Sequence, residues 1–327
     1  MAKKKKESTE EFEIWAEKYR PKTFDEIINQ EHVIGRVKAF VEEKNIPHLL
    51  FAGPAGTGKT TTALVIARTL YGDQWRQNTL ELNASDARGI DVIRGRVKEF
   101  ARTKAIGPVP FKLIILDEAD ALTNEAQQAL RRTMEDFSGI TRFILICNYS
   151  SKIIDPIQSR CVVFRFRGMD EKHVREFINR IAKHEKLKID EKAIKAIIDI
   201  AEGDLRRTSN LLQAAAAISD KITEDVVYEV ASLAKPTDIR EMLELALKGN
   251  FQAAREKLIQ LLIKQGLAGE DIVKQIHKEI LRLGLPDEKK IDIIEKVGEY
   301  EYRISEGGDP FVQLVALLAH ISLIGKK

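Results

Sequence analysis

Apolar residues along the chain follow two successive rhythms. Up to about residue 166, short runs of leucine and β-branched residues at 49–51, 79–82, 113–116, 143–146 and 162–164 alternate with segments whose apolar positions recur at helical spacing. The runs at 113–116 and 143–146 are apolar throughout, as strands are when both faces of a parallel sheet are covered. Ahead of the first run, 30–44 places Val33, Ile34, Val37, Phe40 and Val41 on one helical face, and 90–104, between the second and third runs, does the same with Ile90, Ile93, Val97 and Phe100. The stretches 23–29 and 61–70 also read as helices. The segment 12–21 reads as extended, because Pro21 biases Arg20 away from helical torsions. Strands alternating with helices predict an α/β domain, a doubly wound parallel sheet with helices on both faces.

From Gly168 the strand rhythm stops. Helical patterns run over 170–185, 190–202, 204–218 and 223–233, with Asp170, Asp190, Asp204 and Thr223 placed to cap them. Pro236 marks a second junction, and further helices start near Asp238, Phe251, Gly269, Asp287 and Asp309. The last, 311–324, is apolar on nearly all sides and needs burial in its own bundle or against another chain. At 327 residues the chain exceeds what one core supports. The predicted division is a basic tail over 1–11, an α/β domain over 12–168, a small helical lid domain over 169–234 and a C-terminal helical domain over 235–327.

Composition narrows the picture. Lys and Arg total 53 against 50 Asp and Glu, a formal net charge of +3, so any nucleic-acid surface must be a local patch. Cys147 and Cys161 lie in or near apolar runs without metal-ligand spacing, which predicts neither a disulfide framework nor a zinc site and suits a reducing compartment. No apolar run reaches the roughly 18 residues of a membrane span, and residues 1–6 lack the apolar core of a signal peptide. A soluble, unexported protein is expected. The run Lys3 to Lys6 reads as a solvated tail ahead of a basic address or a nucleic-acid arm.

The chemistry concentrates after the first strand. Gly53-Pro54-Ala55-Gly56-Thr57-Gly58-Lys59-Thr60, followed by Thr61 at the head of a helix, has the spacing of a phosphate loop. Glycines let successive backbone N–H groups face one concavity at the positive end of the next helix, where a triphosphate fits. Lys59 would reach the β- and γ-phosphates, and the Thr60 hydroxyl would ligate magnesium. Asp117 and Glu118 end another apolar strand, where ligands bind in open α/β sheets. Asp117 would hold the metal through its water shell, and Glu118 would orient or deprotonate the attacking water. Asn148, after the strand over 143–147, could contact the γ-phosphate or the lytic water, or simply form a turn. Arg206 could reach the phosphates from the helical domain, or be an ordinary exposed helix charge.

Taken together, the segments 53–60 and 117–120, Asn148 and Gly203-Asp-Leu-Arg206 resemble the Walker A, Walker B, sensor 1 and sensor 2 elements of AAA+ ATPases. Trp15-Ala-Glu-Lys-Tyr-Arg-Pro21, Leu82-Asn-Ala-Ser-Asp-Ala-Arg-Gly-Ile-Asp91, Ala126-Gln-Gln-Ala-Leu-Arg-Arg-Thr-Met-Glu135 and Ser159-Arg160-Cys161 are similar to the signature boxes of clamp loaders, most closely the small subunits of replication factor C of archaeal type. The resemblance covers roughly 12–212 with specific motifs. It implies ATP/ADP and Mg2+ as cofactors, and a pentamer with a large subunit and further small subunits, joined by a collar of C-terminal domains. Trp15, Tyr19, Arg20 and Pro21 would border the adenine, and Arg160 would act in trans as an arginine finger on a neighbour's ATP. Arg88, Arg94, Lys98 and Lys152 would track the backbone of primed DNA without sequence preference, although the Arg94, Lys98 and Arg102 stripe also reads as a solvated helix face. Val97, Phe100 and Ala101 could meet the sliding clamp (PCNA) or pack in the core. The implied location is the cytoplasm, at the nucleoid, in an archaeon and the nucleus in a eukaryote. On sequence alone, another AAA+ machine such as a branch-migration motor, or a nucleotide-dependent scaffold with little turnover, stays open.

Overall fold

A computed structural model describes residues 13–86 and 89–326; the basic tail and Arg88 lie outside the described residues. The described residues form two compact units, one taking those up to 186 together with 197–213, the other taking 187–196 and those from 214 onward. The stretch 169–234, expected as a helical domain of its own, contributes to both.

The first unit begins with α1 (Trp15–Lys18), a 3₁₀ turn at Phe24–Glu26, and α2 (Glu31–Glu42). β1 (His48–Ala52) leads into α3 (Lys59–Tyr71), then α4 (Trp75–Asn78) and β2 (Thr79–Asn83). α5 (Ile90–Val92), a π-helical turn at Ile93–Val97 and α6 (Lys98–Ala101) form one continuous helical stretch. β3 (Lys112–Asp117), α7 (Asn124–Asp136), β4 (Thr141–Cys147), α8 (Asp155–Gln158), β5 (Cys161–Arg165) and α9 (Glu171–His184) complete the series.

The five strands pair in parallel in the order β2-β3-β4-β1-β5. Side chains alternate faces along each strand, and here both faces are covered. Leu49, Phe51, Leu113, Ile115, Ile144 and Ile146 pack with α2 and α3, while Leu50, Ile114, Leu116, Phe143 and Leu145 pack with Ile93, Val97, Ala101 and, from α7, Ala126, Leu130 and Met134. The strand order sets the C-terminal ends of β3, β4 and β1 side by side.

Three local expectations are corrected. The segment 12–21 is not extended throughout: Pro21 restrains only the residue before it, and one helical turn fits ahead of Tyr19. The helix expected over 23–29 is a single 3₁₀ turn, because Asn29 adopts a left-handed φ of 57° that no right-handed helix continues through. The helix expected over 90–104 stops at Ala101 and contains a π turn, whose wider spacing leaves both Ile93 and Val97 facing the core. Val97 and Ala101 are fully buried, so of the three apolar residues offered to a clamp only Phe100 stays partly accessible.

α10 (Glu191–Ala201) and α11 (Leu205–Ile218) follow, flanked by the two-residue strands β6 (Lys188–Ile189) and β7 (Lys221–Ile222), which pair in parallel and carried no sequence signal. The expected caps form: Asp170, Asp190, Asp204 and Thr223 accept from the N–H of His173, Ala193, Arg206 and Val226. The second unit continues with α12 (Glu224–Ala231), α13 (Pro236–Leu247), α14 (Phe251–Ile259), α15 (Gly269–Arg282), α16 (Asp287–Ser305) and α17 (Pro310–Lys326). α17 buries Leu314, Leu317, Leu318 and Ile321 in this bundle and leaves Val312 and Leu323 exposed. Glu279, 2% exposed within the bundle, pairs with Arg240 and Arg282 at 2.9 Å each, so its buried charge is compensated.

Candidate nucleotide site

The loop between β1 and α3 turns sharply, and Gly58 makes the turn into the helix with a left-handed φ of 91° that a side chain would resist. The first residue of that helix, Lys59, is only 7% exposed. Its ammonium donates to the Gly53 carbonyl at 2.7 Å, to the Pro54 carbonyl at 2.6 Å and to Asn148 Oδ1 at 3.3 Å. Burial pulls the Lys59 pKa down, and the nearby Asp117 carboxylate acts against that pull. Three acceptors for three N–H bonds leave the buried charge satisfied and aim it between β1 and β4.

The next residue reaches the end of β3. Thr60 Oγ1 donates to Asp117 Oδ2 at 2.6 Å, and the Glu118 backbone N–H donates to Asp117 Oδ1 at 2.9 Å. Glu118 holds a left-handed φ of 53°, a strained position for a side-chain-bearing residue, and its side chain is exposed at the cleft. Asp120 Oδ2 accepts from the N–H of Asn148 and of Tyr149, both at 3.2 Å, which ties the end of β4 to the turn after β3.

A cleft runs along these strand ends. Its lining includes the predicted residues Tyr19, Arg20, Pro21, Ala55, Gly56, Thr57, Gly58, Lys59, Thr60, Thr61, Asp117, Glu118, Asn148 and Arg206. Gly53 and Pro54 do not line it; their carbonyls accept from Lys59 Nζ. Trp15 does not line the cleft; its backbone N–H donates to Gln213 Oε1 at 2.9 Å and its ring meets Tyr19 edge-on at 6.3 Å. Arg160 also lies elsewhere, exposed, bound to the Glu135 carboxylate and to the Pro156 carbonyl at 2.7 Å. Arg94, Lys98 and Lys152 are exposed and outside the cleft, with Lys152 Nζ 5.3 Å from the centre of the Tyr149 ring. Sequence reasoning missed Ala16, Ile27, Ile28, Met169, Phe177, Arg180, Leu205 and Ser209, all of which line the cleft. The apolar ones follow ordinary core periodicity, and Arg180 looks like any exposed helix charge, so neither carried a local signal.

The donor chemistry fits a nucleotide with its metal. Thr60 and Asp117 offer oxygen ligands alone, which suits magnesium held by one carboxylate, a hydroxyl and phosphate oxygens. Among the described residues no cluster of three or more His, Cys, Asp or Glu offers an all-protein metal cage. The thiols add no chemistry, since burial pushes Cys147 and Cys161 up to about 12. No described helix is long and apolar enough to cross a membrane.

Comparison with known proteins agrees with this geometry. Residues 49–169 match the ATPase family associated with various cellular activities (AAA), and residues 234–320 match the replication factor C C-terminal domain. The chain is 57% identical to the replication factor C small subunit of Staphylothermus marinus over 96% of both chains. It is 52% identical to that of Archaeoglobus fulgidus over 97% of this chain and all of the other. Among solved structures, the Thermotoga maritima RuvB Holliday junction branch migration motor matches with a TM-score of 0.53 at 22% identity, covering 81% of this chain and 91% of that one, a likeness of fold. The chain binds nucleotide as an AAA+ ATPase, and it belongs to the replication factor C small subunit family.

Proposed function

We propose that this chain is a working subunit of a clamp loader, which uses ATP to place a ring-shaped sliding clamp (PCNA) on primed DNA. The observation that carries the reading is a division of the catalytic groups. Lys59, Thr60, Asp117, Glu118 and Asn148 converge on one cleft, while Arg160 sits on the surface away from it, held by Glu135. With Arg160 as a catalytic group, this arrangement supports a site that a neighbouring chain completes.

In this reading the phosphate-loop amides and Lys59 hold the β- and γ-phosphates of ATP. Thr60 and Asp117 would hold a magnesium ion, which would supply positive charge to the phosphates. Glu118 accepts a proton from the attacking water, Asn148 orients that water or the γ-phosphate, and Arg206 contacts the phosphates from the head of α11. Arg160 enters the site of the adjacent subunit, where such an arginine is worth about 10³ to 10⁵ in turnover.

The domain division at 168/169 and 234/235 belongs to the proposal, with 169–234 as lid and 235–327 as collar. So does a pentamer with a large subunit and further small subunits, working in an archaeal cytoplasm. Arg94, Lys98 and Lys152, with Arg88, would contact the DNA backbone and read no sequence. The test is steady-state ATPase of the assembled complex with and without primed DNA and clamp. Stimulation by both together is expected; turnover indifferent to both contradicts the proposal.

A further inference from the structure

Besides the phosphate loop, the cleft is lined by the N-terminal segment, through Ala16, Tyr19, Arg20 and Pro21, and by α9, through Phe177 and Arg180. These two pieces are fastened together at one point. Glu185, which ends α9, accepts on a single oxygen, Oε1, from Lys18 Nζ at 2.6 Å and from the Tyr19 hydroxyl. His184 Nδ1 lies 2.7 Å from that same hydroxyl, and its ring meets the Tyr19 ring edge-on at 5.5 Å. A phenol carries one proton and a carboxylate only accepts, so the proton goes to Glu185 and His184 presents Nδ1–H to the phenol oxygen. The result is a directed chain from His184 through Tyr19 to Glu185, closed by Lys18.

Two further features single the chain out. Phe177, Arg180 and His184 follow one another at helical spacing, so the stripe of α9 that faces the cleft also carries the fastening. The ionisation states are also fixed: burial and the bond to Glu185 raise the Tyr19 pKa far above neutrality. Burial of Glu185 acts upward, yet the bonds from Lys18 and Tyr19 outweigh it and hold its carboxyl below the usual range.

Building on the nucleotide reading, we propose that Glu185 is a positioning residue for nucleotide binding, acting through Tyr19. By fixing the phenol it sets the wall that the base and sugar of a nucleoside triphosphate meet. Its effect falls on affinity, because Lys59, Asp117 and Asn148 are held by bonds that do not involve it.

The test is nucleotide affinity of the full chain, and steady-state ATPase of the assembled complex, carrying Tyr19→Phe, Glu185→Ala, Glu185→Gln or both Tyr19→Phe and Glu185→Ala, with Lys59→Ala as a reference. Loss of a bond to a charged acceptor predicts a Kd for ATP raised about five- to tenfold in Tyr19→Phe and Glu185→Ala. Glu185→Gln keeps an acceptor and should recover most of the affinity, and the double variant should bind no more weakly than either single one. In the Glu185 variants KM should rise with Kd while kcat at saturation stays within about twofold of wild type. Wild-type affinity in both single variants, additive losses in the double, or a fall in kcat at unchanged Kd each overturns the positioning role. If Lys59→Ala itself binds ATP as well as wild type, the nucleotide reading fails first.

Discussion

Lys59 and Asn148, 89 positions apart in sequence, meet at 3.3 Å between the ends of β1 and β4. The contact joins the group that would grip the phosphates to the group that would sense them, and Asp120 keeps Asn148 in place through two backbone N–H bonds. Truncating Asn148 leaves Lys59 its two carbonyl acceptors, so the loop should keep its shape. Asn148→Ala is therefore expected to bind ATP within about threefold of wild type and to lose about 10²-fold in kcat, the size typical of a positioned polar group near a developing charge. Equilibrium nucleotide binding beside single-turnover hydrolysis separates the two effects.

Gly56 and Gly35 make a contrasting pair. Gly56 has a φ of +66°, and a Cβ there would lie 1.9 Å from Asp204 Oδ1 and 2.9 Å from Asp204 Cα. Gly56→Ala should cost about 1–3 kcal/mol and lose nucleotide binding, since the loop can relieve the clash only by moving away from the cap of α11. Gly35 lies on the exposed side of α2 with nothing within 4 Å of an added Cβ. Gly35→Ala should stabilise by about 0.5–1 kcal/mol through the helix alone. Thermal unfolding of both variants checks the pair.

These residues also mark what the sequence disclosed. The phosphate loop, Asp117 and Glu118 were legible because their chemistry needs fixed residue types at fixed spacing beside a strand, and the alternating strands and helices made the sheet legible with them. The cleft wall was not. Phe177 and Arg180 join Tyr19 only through the folding of α9 back onto a segment more than 150 positions earlier, and helical periodicity says nothing about such a meeting. Trp15 shows the converse: its motif pointed to the cleft, which Trp15 does not line, while its ring packs edge-on against Tyr19.

His48 predicts an acid sensitivity. It starts β1, where its Nδ1 accepts from the Phe143 N–H at 3.1 Å and its ring meets that of Phe143 edge-on. Burial, and then the Arg142 charge, push its pKa down from 6.5 to about 4. Above pH 6.5 His48 is neutral in both folded and unfolded chains and adds no pH dependence. Between 6.5 and 4 only the unfolded chain takes the proton, so stability falls, by on the order of 3 kcal/mol in total, and below 4 the loss levels off. Urea midpoints of the α/β unit measured across that range should fall with pH in the wild type and fall less in His48→Asn.

The exposed cations on the helical stretch that ends in α6 predict a salt signature. If Arg94 and Lys98 each neutralise one phosphate in the assembled complex, replacing either with Ala should weaken DNA binding equally for every sequence. The log–log salt slope should shrink by about 0.9 per residue removed. Binding isotherms on two unrelated primed templates at several salt concentrations test this, and a loss confined to one template contradicts it.

The most direct test concerns Arg160, which does not line its own chain's cleft and is steadied by Glu135. ATP turnover by the assembled complex, with primed DNA and clamp present, should fall at least about 10³-fold in Arg160→Ala while ATP binding stays at the wild-type level. Undiminished turnover in that variant would mean that each cleft is complete within one chain, which contradicts a shared site.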